Sequence, residues 1–233
     1  MKTPDSLGDR MKSYEAVYNH TLTPNSCVFI RVDGRAFHTF TKNLKKPFDM
    51  HFIDCMEAAA VVVSKEMQGF KLGYVQSDEA TFMLTDFDTP QSQPWFGYEL
   101  NKLVSLTASL MSVHFSNFFA PYGYDADMKI PVFDARAFVV PKDDAANVFI
   151  WRQKDGLRNS LNMYAQAFFS HKEMQGKKAS DLHDMLHDLG LSWNNLSAQV
   201  KNGSYITPSG TVYDTYNYED ITNYINEAIN AKR

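Results

Sequence analysis

Sulfur chemistry is nearly missing from this chain: Cys27 and Cys55 are the only cysteines in 233 residues. Two thiols cannot build a disulfide framework, nor by themselves a four-ligand zinc site. Long apolar runs are missing too. The longest, Ala58 to Val63, falls far short of the roughly 20 residues that cross a bilayer. The N-terminus, MKTPDSLGDRMKSYE, mixes charge and polarity where an export signal needs an apolar stretch. There is no internal repeat and no low-complexity tract. Nor does one sign of charge dominate: 23 Lys and Arg face 27 Asp and Glu, for a net charge of −4. That balance excludes a heavily basic nucleic-acid coat, but not an RNA held by local patches and metal ions. Together these absences point to a soluble, cytoplasmic protein with no membrane partner.

What is present is material for a core. At 44% hydrophobic and 14% aromatic residues, the chain buries enough surface to exclude intrinsic disorder and suits one compact unit. Residues 27–33, CVFIRVD, form a β-branched and aromatic run ending in an acid before Gly34, the pattern of a buried strand opening into a loop. Residues 51–68 space Ile53, Met56, Ala60 and Val63 along one helical face. Phe70 to Gln76 and Ala80 to Asp86 read as a hairpin around Ser77, Asp78 and Glu79. A helix over 95–119, with Leu100, Leu103, Leu106 and Leu110 in register, leads to a strand at 135–140. Asp86 to Pro94 and Pro121 to Pro131 read as loops.

The order βαββαβ predicts an α+β, ferredoxin-like sheet of antiparallel strands with helices on one face. Its first and third strands lie side by side at the centre. Residues 1–140 form this region. Residues 141–233 are a mainly helical extension packed on it as part of the same unit, with a terminal hairpin of Ser204 to Thr207 and Thr211 to Thr215. Central pairing brings Asp33 beside Asp78 and Glu79, so three carboxylates meet at one sheet edge. Like charges so placed need a shared cation or proton, and oxygen donors with phosphate substrates suit Mg²⁺. A solvated acidic turn is the competing reading, and spacing alone leaves both open.

The run from Ile30 through Asp33, Gly34, Arg35, Phe37, His38 and Phe40, then Lys46-Pro47, then Gln76-Ser77-Asp78-Glu79, then Trp151-Arg152-Gln153, resembles the tRNA-His guanylyltransferase family. The likeness covers most of the chain, and the motifs stand in matching order and spacing. It implies a polymerase-palm fold with a helical extension, and addition of nucleotides to tRNA 5′ ends in the 3′-to-5′ direction. It further implies two Mg²⁺ ions held by Asp33, Asp78 and the Gly34 carbonyl, with Glu79 as the neighbouring catalytic acid. Lys46 and Lys102 match lysines that face triphosphate oxygens. Arg35, Phe37, His38 and Ser77 are candidates for nucleotide or phosphate contact, with core packing the competing role for Phe37 and Phe40. Arg152 and Asn159 are supporting residues. Family members commonly form tetramers, for which Trp193 and Tyr205 are candidate contacts.

One departure bears on substrate. Eukaryotic members carry His-Ile-Asn-Asn-Leu-Tyr-Asn shortly after the Trp-Arg-Gln motif, where this chain reads Leu157 to Met163 without the leading His. The chain therefore looks like the guanylyltransferase-like branch, whose typical work is templated repair of truncated tRNA 5′ ends with ATP, GTP or other nucleoside triphosphates. A basic residue usual near the start of the second palm helix is also missing, with Tyr98 and Glu99 in that region. His183 and His187, at i and i+4 on a Leu182, Met185, Leu186 stripe ending at Gly190, superficially resemble a zinc helix but lack a third ligand. Ser170 and Glu173 read as a capping box, and Lys172, Lys177 and Lys178 as either an RNA-facing patch or a solvated face. Two other functions fit paired acids: a palm-type nucleotide cyclase or dinucleotide synthase, recognised by turnover without RNA, and a catalytically silent RNA-binding protein.

Overall fold

The computed structural model of the protein describes residues 6–123, 130–210, 212–213 and 217–230. Its strands are β1 (Cys27–Gly34), β2 (Phe70–Gln76), β3 (Glu79–Leu84), β4 (Phe133–Val140), β5 (Ser204–Ile206) and β6 (Val212–Tyr213). Its α-helices are α1 (Ser6–Ala16), α2 (Phe37–Phe40), α3 (Met50–Glu66), α4 (Leu100–Phe119), α5 (Ala145–Gln166), α6 (His171–Met174), α7 (Ala179–Asp188), α8 (Ala198–Asn202) and α9 (Tyr218–Asn230). One antiparallel sheet runs β4-β1-β3-β2-β5-β6. β1 and β3 are neighbours at the centre of the four palm strands β4-β1-β3-β2, as the βαββαβ order predicts.

Alternation along β1 builds two cores. Val28, Ile30 and Val32 face α3 and α4 together with Ala80, Phe82 and Leu84. Cys27 and Phe29 face the opposite way with Leu72, Tyr74 and Met83, against Val148 and Phe149 of α5 and Ile221 and Ile225 of α9. The palm helices thus share one face, and the C-terminal helices cover the other. α3 starts where Asp49 accepts the Phe52 N–H at 3.1 Å. α4 presents Leu103, Thr107, Met111, Phe115 and Phe119 to the sheet, an i, i+4 stripe. With its short extension to Tyr122 this helix is long and apolar enough to cross a membrane, yet its stripe is packed in the core.

Several expectations need correction. The segment before α4 is not helical from residue 95: Phe96, Gly97 and Tyr98 all have positive φ, so the chain turns and the helix begins at Leu100. The terminal hairpin forms as expected, Ile206 opposite Val212, and it joins the main sheet. β5 pairs with β2, Tyr74 opposite Tyr205, and lengthens the main sheet. Thr211 and residues 214–216 of the expected second strand, and 124–129 of the expected loop, lie outside the described residues. Tyr205 is no surface contact either: it is buried and its hydroxyl donates to Gln153 at 2.8 Å. The Trp193 indole donates to Ser160 at 3.2 Å. The capping box at Ser170 and Glu173 is present.

Both cysteines are free and buried, and burial pushes each thiol up to about 11. At pH 8 only on the order of one molecule in a thousand carries either thiolate, the form that reacts. Native protein should therefore resist iodoacetamide at pH 8, and both thiols should label promptly in denaturant. Mass spectrometry of the two samples reads this directly.

Candidate active site

The end of β1 and the β2–β3 turn form one corner. Asp33 lies opposite Glu79 on β3 and opposite Asp134 on β4, three acids in a row across the sheet. Ser77 turns the chain with φ 55°, a left-handed conformation tolerated in tight turns. The Gly34 N–H donates to the Asp78 carbonyl at 3.0 Å, which pins the turn to the strand end. A side chain at position 34 has no room: its Cβ would fall 2.4 Å from Cδ2 of Phe37. The chain then swings into α2 through Ala36 at φ 55°.

The three expected carboxylates do not share one state. Glu79 is taken by arginines: Arg152 donates from Nε to Oε1 at 2.6 Å and from Nη2 to Oε2 at 2.8 Å, and Arg31 Nε lies 3.8 Å from Oε2. Burial raises its carboxyl, while Arg152 and Arg31 pull it back down. Glu79, expected as the neighbouring catalytic acid, thus ties the sheet to α5. Asp33 and Asp78, by contrast, pair with no cation among the described residues. Burial raises the Asp78 carboxyl and the Asp33 charge raises it further, against the lowering effect of hydrogen bonds from its own backbone and from Ser77, whose hydroxyl lies 3.2 Å away. By strand alternation Asp33 belongs to the α5 face, while Asp78 lines a cavity on the α3 side. Asp33 nevertheless lies near enough for its charge to act on Asp78.

That cavity has a volume of ≈ 440 Å³, within the range of small-ligand sites. Gly34, His38, Lys46, Ser77 and Asp78, distant in the motifs, contribute together to its wall. Lys46 is exposed, its ammonium resting on the Thr41 carbonyl at 3.0 Å. Phe37 reaches the wall too, but its ring is buried against Phe40, Phe52, Phe115 and Phe133, so it is chiefly a core residue. Arg35 is exposed just outside, its N–H bound to Val132.

Lys102 is not brought to the corner within this chain. α4 starts at the far end of the sheet, where Leu100 N–H bonds His20, and only its later turns, from Ser112, reach the Gly34–Phe133 row. Ten residues of helix, about 15 Å, separate Lys102 from that point, and its ammonium pairs with Glu99 at 2.9 Å. Thr41, Met163 and Gln166, which the motifs do not single out as site residues, also line the wall. The last two belong to an α5 stripe, Arg152, Gly156, Asn159, Met163 and Gln166, whose 3–4 residue spacing was visible in the sequence. Gly156 lets that stripe approach: a Cβ there would sit 2.7 Å from the Tyr74 hydroxyl and 2.8 Å from Cγ of Gln76. Asn159 lies on the same stripe, exposed.

Removing one member of a well-buried ion pair costs about 3–5 kcal/mol, whereas exposed pairs contribute ~0–1. Arg152→Ala should lose the former amount in urea unfolding, its side chain being 12% exposed. Arg158→Ala, 67% exposed and paired with Asp155, should stay within about 1 kcal/mol of the parent.

Comparison with known proteins agrees with this geometry. The family model described as tRNAHis guanylyltransferase matches residues 8–141. The tRNA(His) guanylyltransferase of Schizosaccharomyces pombe is 30% identical over 211 residues, 83% of this chain and 77% of the yeast protein. Among solved structures, a bacterial tRNA(His) guanylyltransferase-like protein in complex with ATP superimposes with a TM-score of 0.88 at 35% identity, covering 94% of this chain and 99% of that one. A bacterial guanylyltransferase-like protein in complex with GTP gives 0.80 at 31%, covering 97% and 100%. With the motifs on one corner of a palm-like sheet and more than half of its length matched by the family model, the chain belongs to the tRNA-His guanylyltransferase family.

Proposed function

We propose that this protein is a Mg²⁺-dependent nucleotidyltransferase that extends tRNA at the 5′ end, by templated repair in preference to strict tRNA-His guanylylation. The observation that carries the reading is the pair of cation-free carboxylates, Asp33 and Asp78, at a strand end beside a ligand-sized cavity. The donor set suits magnesium: both acids offer only oxygen, and the charge of one already raises the carboxyl of the other. Asp33, Asp78 and the Gly34 carbonyl would hold it. Bound magnesium supplies positive charge that eases deprotonation of an attacking hydroxyl and neutralises the triphosphate.

The residues around the acids do the positioning. Lys46 and Ser77 line the cavity within reach of phosphate oxygens, and His38 and Met163 close its sides. Glu79, held by Arg152, keeps the turn that carries Asp78 in place. In the first step an oxygen of the RNA 5′-monophosphate attacks the α-phosphorus of ATP, pyrophosphate leaves, and the end is adenylylated. In the second, the 3′-hydroxyl of an incoming nucleoside triphosphate attacks the RNA 5′ phosphorus and AMP leaves. Pairing with the opposite strand selects the nucleotide, so the protein need grip only shape and phosphate. The absence of the leading His from the stretch after Trp-Arg-Gln supports repair over tRNA-His specificity.

Assembly as a homotetramer belongs to the same reading. α1 leaves Leu7, Met11 and Tyr14 exposed at i, i+4 and i+7, an apolar stripe of the kind a second subunit covers. Light scattering of the purified protein measures that state.

Purified protein given ATP, GTP and Mg²⁺ should extend a 5′-truncated tRNA according to its template, and accept non-histidine tRNAs. Asp33→Ala and Asp78→Ala should each lose on the order of 10³-fold or more in rate while keeping a parental circular dichroism spectrum. Extension by either variant at the parental rate, or cyclic product from ATP or GTP without RNA, defeats the proposal.

A further inference from the structure

Trp151 is out of keeping with its surroundings. Tryptophan is usually well buried, and Trp95 is 6% exposed, yet Trp151 keeps 51% of its surface in water. It is nevertheless held firmly. The Arg152 guanidinium lies 4.6 Å from its ring centroid and that of Arg31 5.3 Å. Arg152 is in turn fixed on Glu79 by two hydrogen bonds, and Arg31 lies 3.8 Å from the same carboxylate. An exposed indole oriented in advance loses little conformational freedom when a flat partner settles on it.

Its position and charge say what that partner is. Arg31 precedes Asp33 by two residues on the same face of β1, about 6–7 Å along the strand, or roughly two stacked bases at ~3.4 Å each. Beside Arg31 on β4 stands Arg136, its side chain 53% exposed and, among the described residues, paired with Asp134 at 3.3 Å. Lys154 follows one turn along α5 from Trp151, over the Tyr218 ring at 5.2 Å. An apolar protein partner would have to bury these cations, whereas a nucleic acid offers a base to the indole and phosphate to the guanidinium.

We propose that Trp151 is a stacking platform for a terminal or unpaired base of the RNA next to the reacting 5′ end, with Arg136 as the adjoining phosphate contact. This rests on the reading of RNA as substrate. By that assignment the α5 face of the sheet holds the RNA, while the cavity on the α3 face takes the nucleotide.

The test is fluorescence anisotropy of a labelled 5′-truncated tRNA with parent, Trp151→Ala, Trp151→Phe and Arg136→Ala, alongside KM values for RNA and ATP. Losing one stacked base should weaken RNA binding by about 5- to 150-fold. Trp151→Phe should restore most of that, and the KM for ATP should stay within twofold of the parent. Arg136→Ala should weaken binding and flatten its salt dependence. Quenching of tryptophan fluorescence by RNA, present in the parent and absent in Trp151→Phe, supplies a readout should the alanine variant fold poorly. If the parent binds and extends RNA but Trp151→Ala binds it equally well, the platform is wrong and the enzymatic reading stands. A Trp151→Ala protein that changes its oligomeric state at unaltered RNA affinity makes the indole a subunit contact and likewise overturns it. If the parent neither binds nor extends RNA, both readings fall together.

Discussion

The two-pronged grip of Arg152 on Glu79 is the interaction on which the working corner depends. Glu79 directly follows Asp78 in the turn and is itself the strand partner of Asp33, so its carboxylate has to be neutralised locally for two further acids to stay uncompensated nearby. A guanidinium suits this task because its planar fork meets both carboxylate oxygens at once and stays charged at any physiological pH. The same bond anchors α5 across the sheet. One ion pair therefore both orders the turn and sets where the C-terminal helix lies.

That anchoring explains the division of labour between the two faces. On the α3 and α4 side Phe37, Phe52, Phe115 and Phe133 meet ring to ring in an aromatic core, and a cavity opens where the chain after Gly34 swings away. α5 crosses the opposite face and extends past the β2–β3 turn, so Met163 and Gln166 reach the cavity from beyond the sheet's end. The site is thus enclosed by elements from both halves of the chain, although the three acids nearest the turn all come from the first.

What was legible in the sequence was local or periodic. β2 reads correctly over Phe70–Gln76 because an apolar run lies between Gly69 and an acidic turn, and the βαββαβ order follows from such runs with few alternatives. What was not legible depends on pairing at a distance. That Glu79 is bound could not be read from Gln76-Ser77-Asp78-Glu79, because its partner is 73 residues away. Lys102 looked well placed because a motif gives spacing without direction, and α4 runs so that this lysine starts at the wrong end. The place of β5 depends on meeting β2 across a separation of more than a hundred residues, which no short pattern encodes.

That last pairing has a consequence for how the chain is made. β2 is an interior strand only because a three-residue segment near the C-terminus lies against it. During translation the palm strands leave the ribosome long before that segment, so for much of synthesis β2 presents an unpaired row of N–H and C=O groups, a template for another nascent chain. The short β5 is therefore a late-arriving guard against association between unfinished copies.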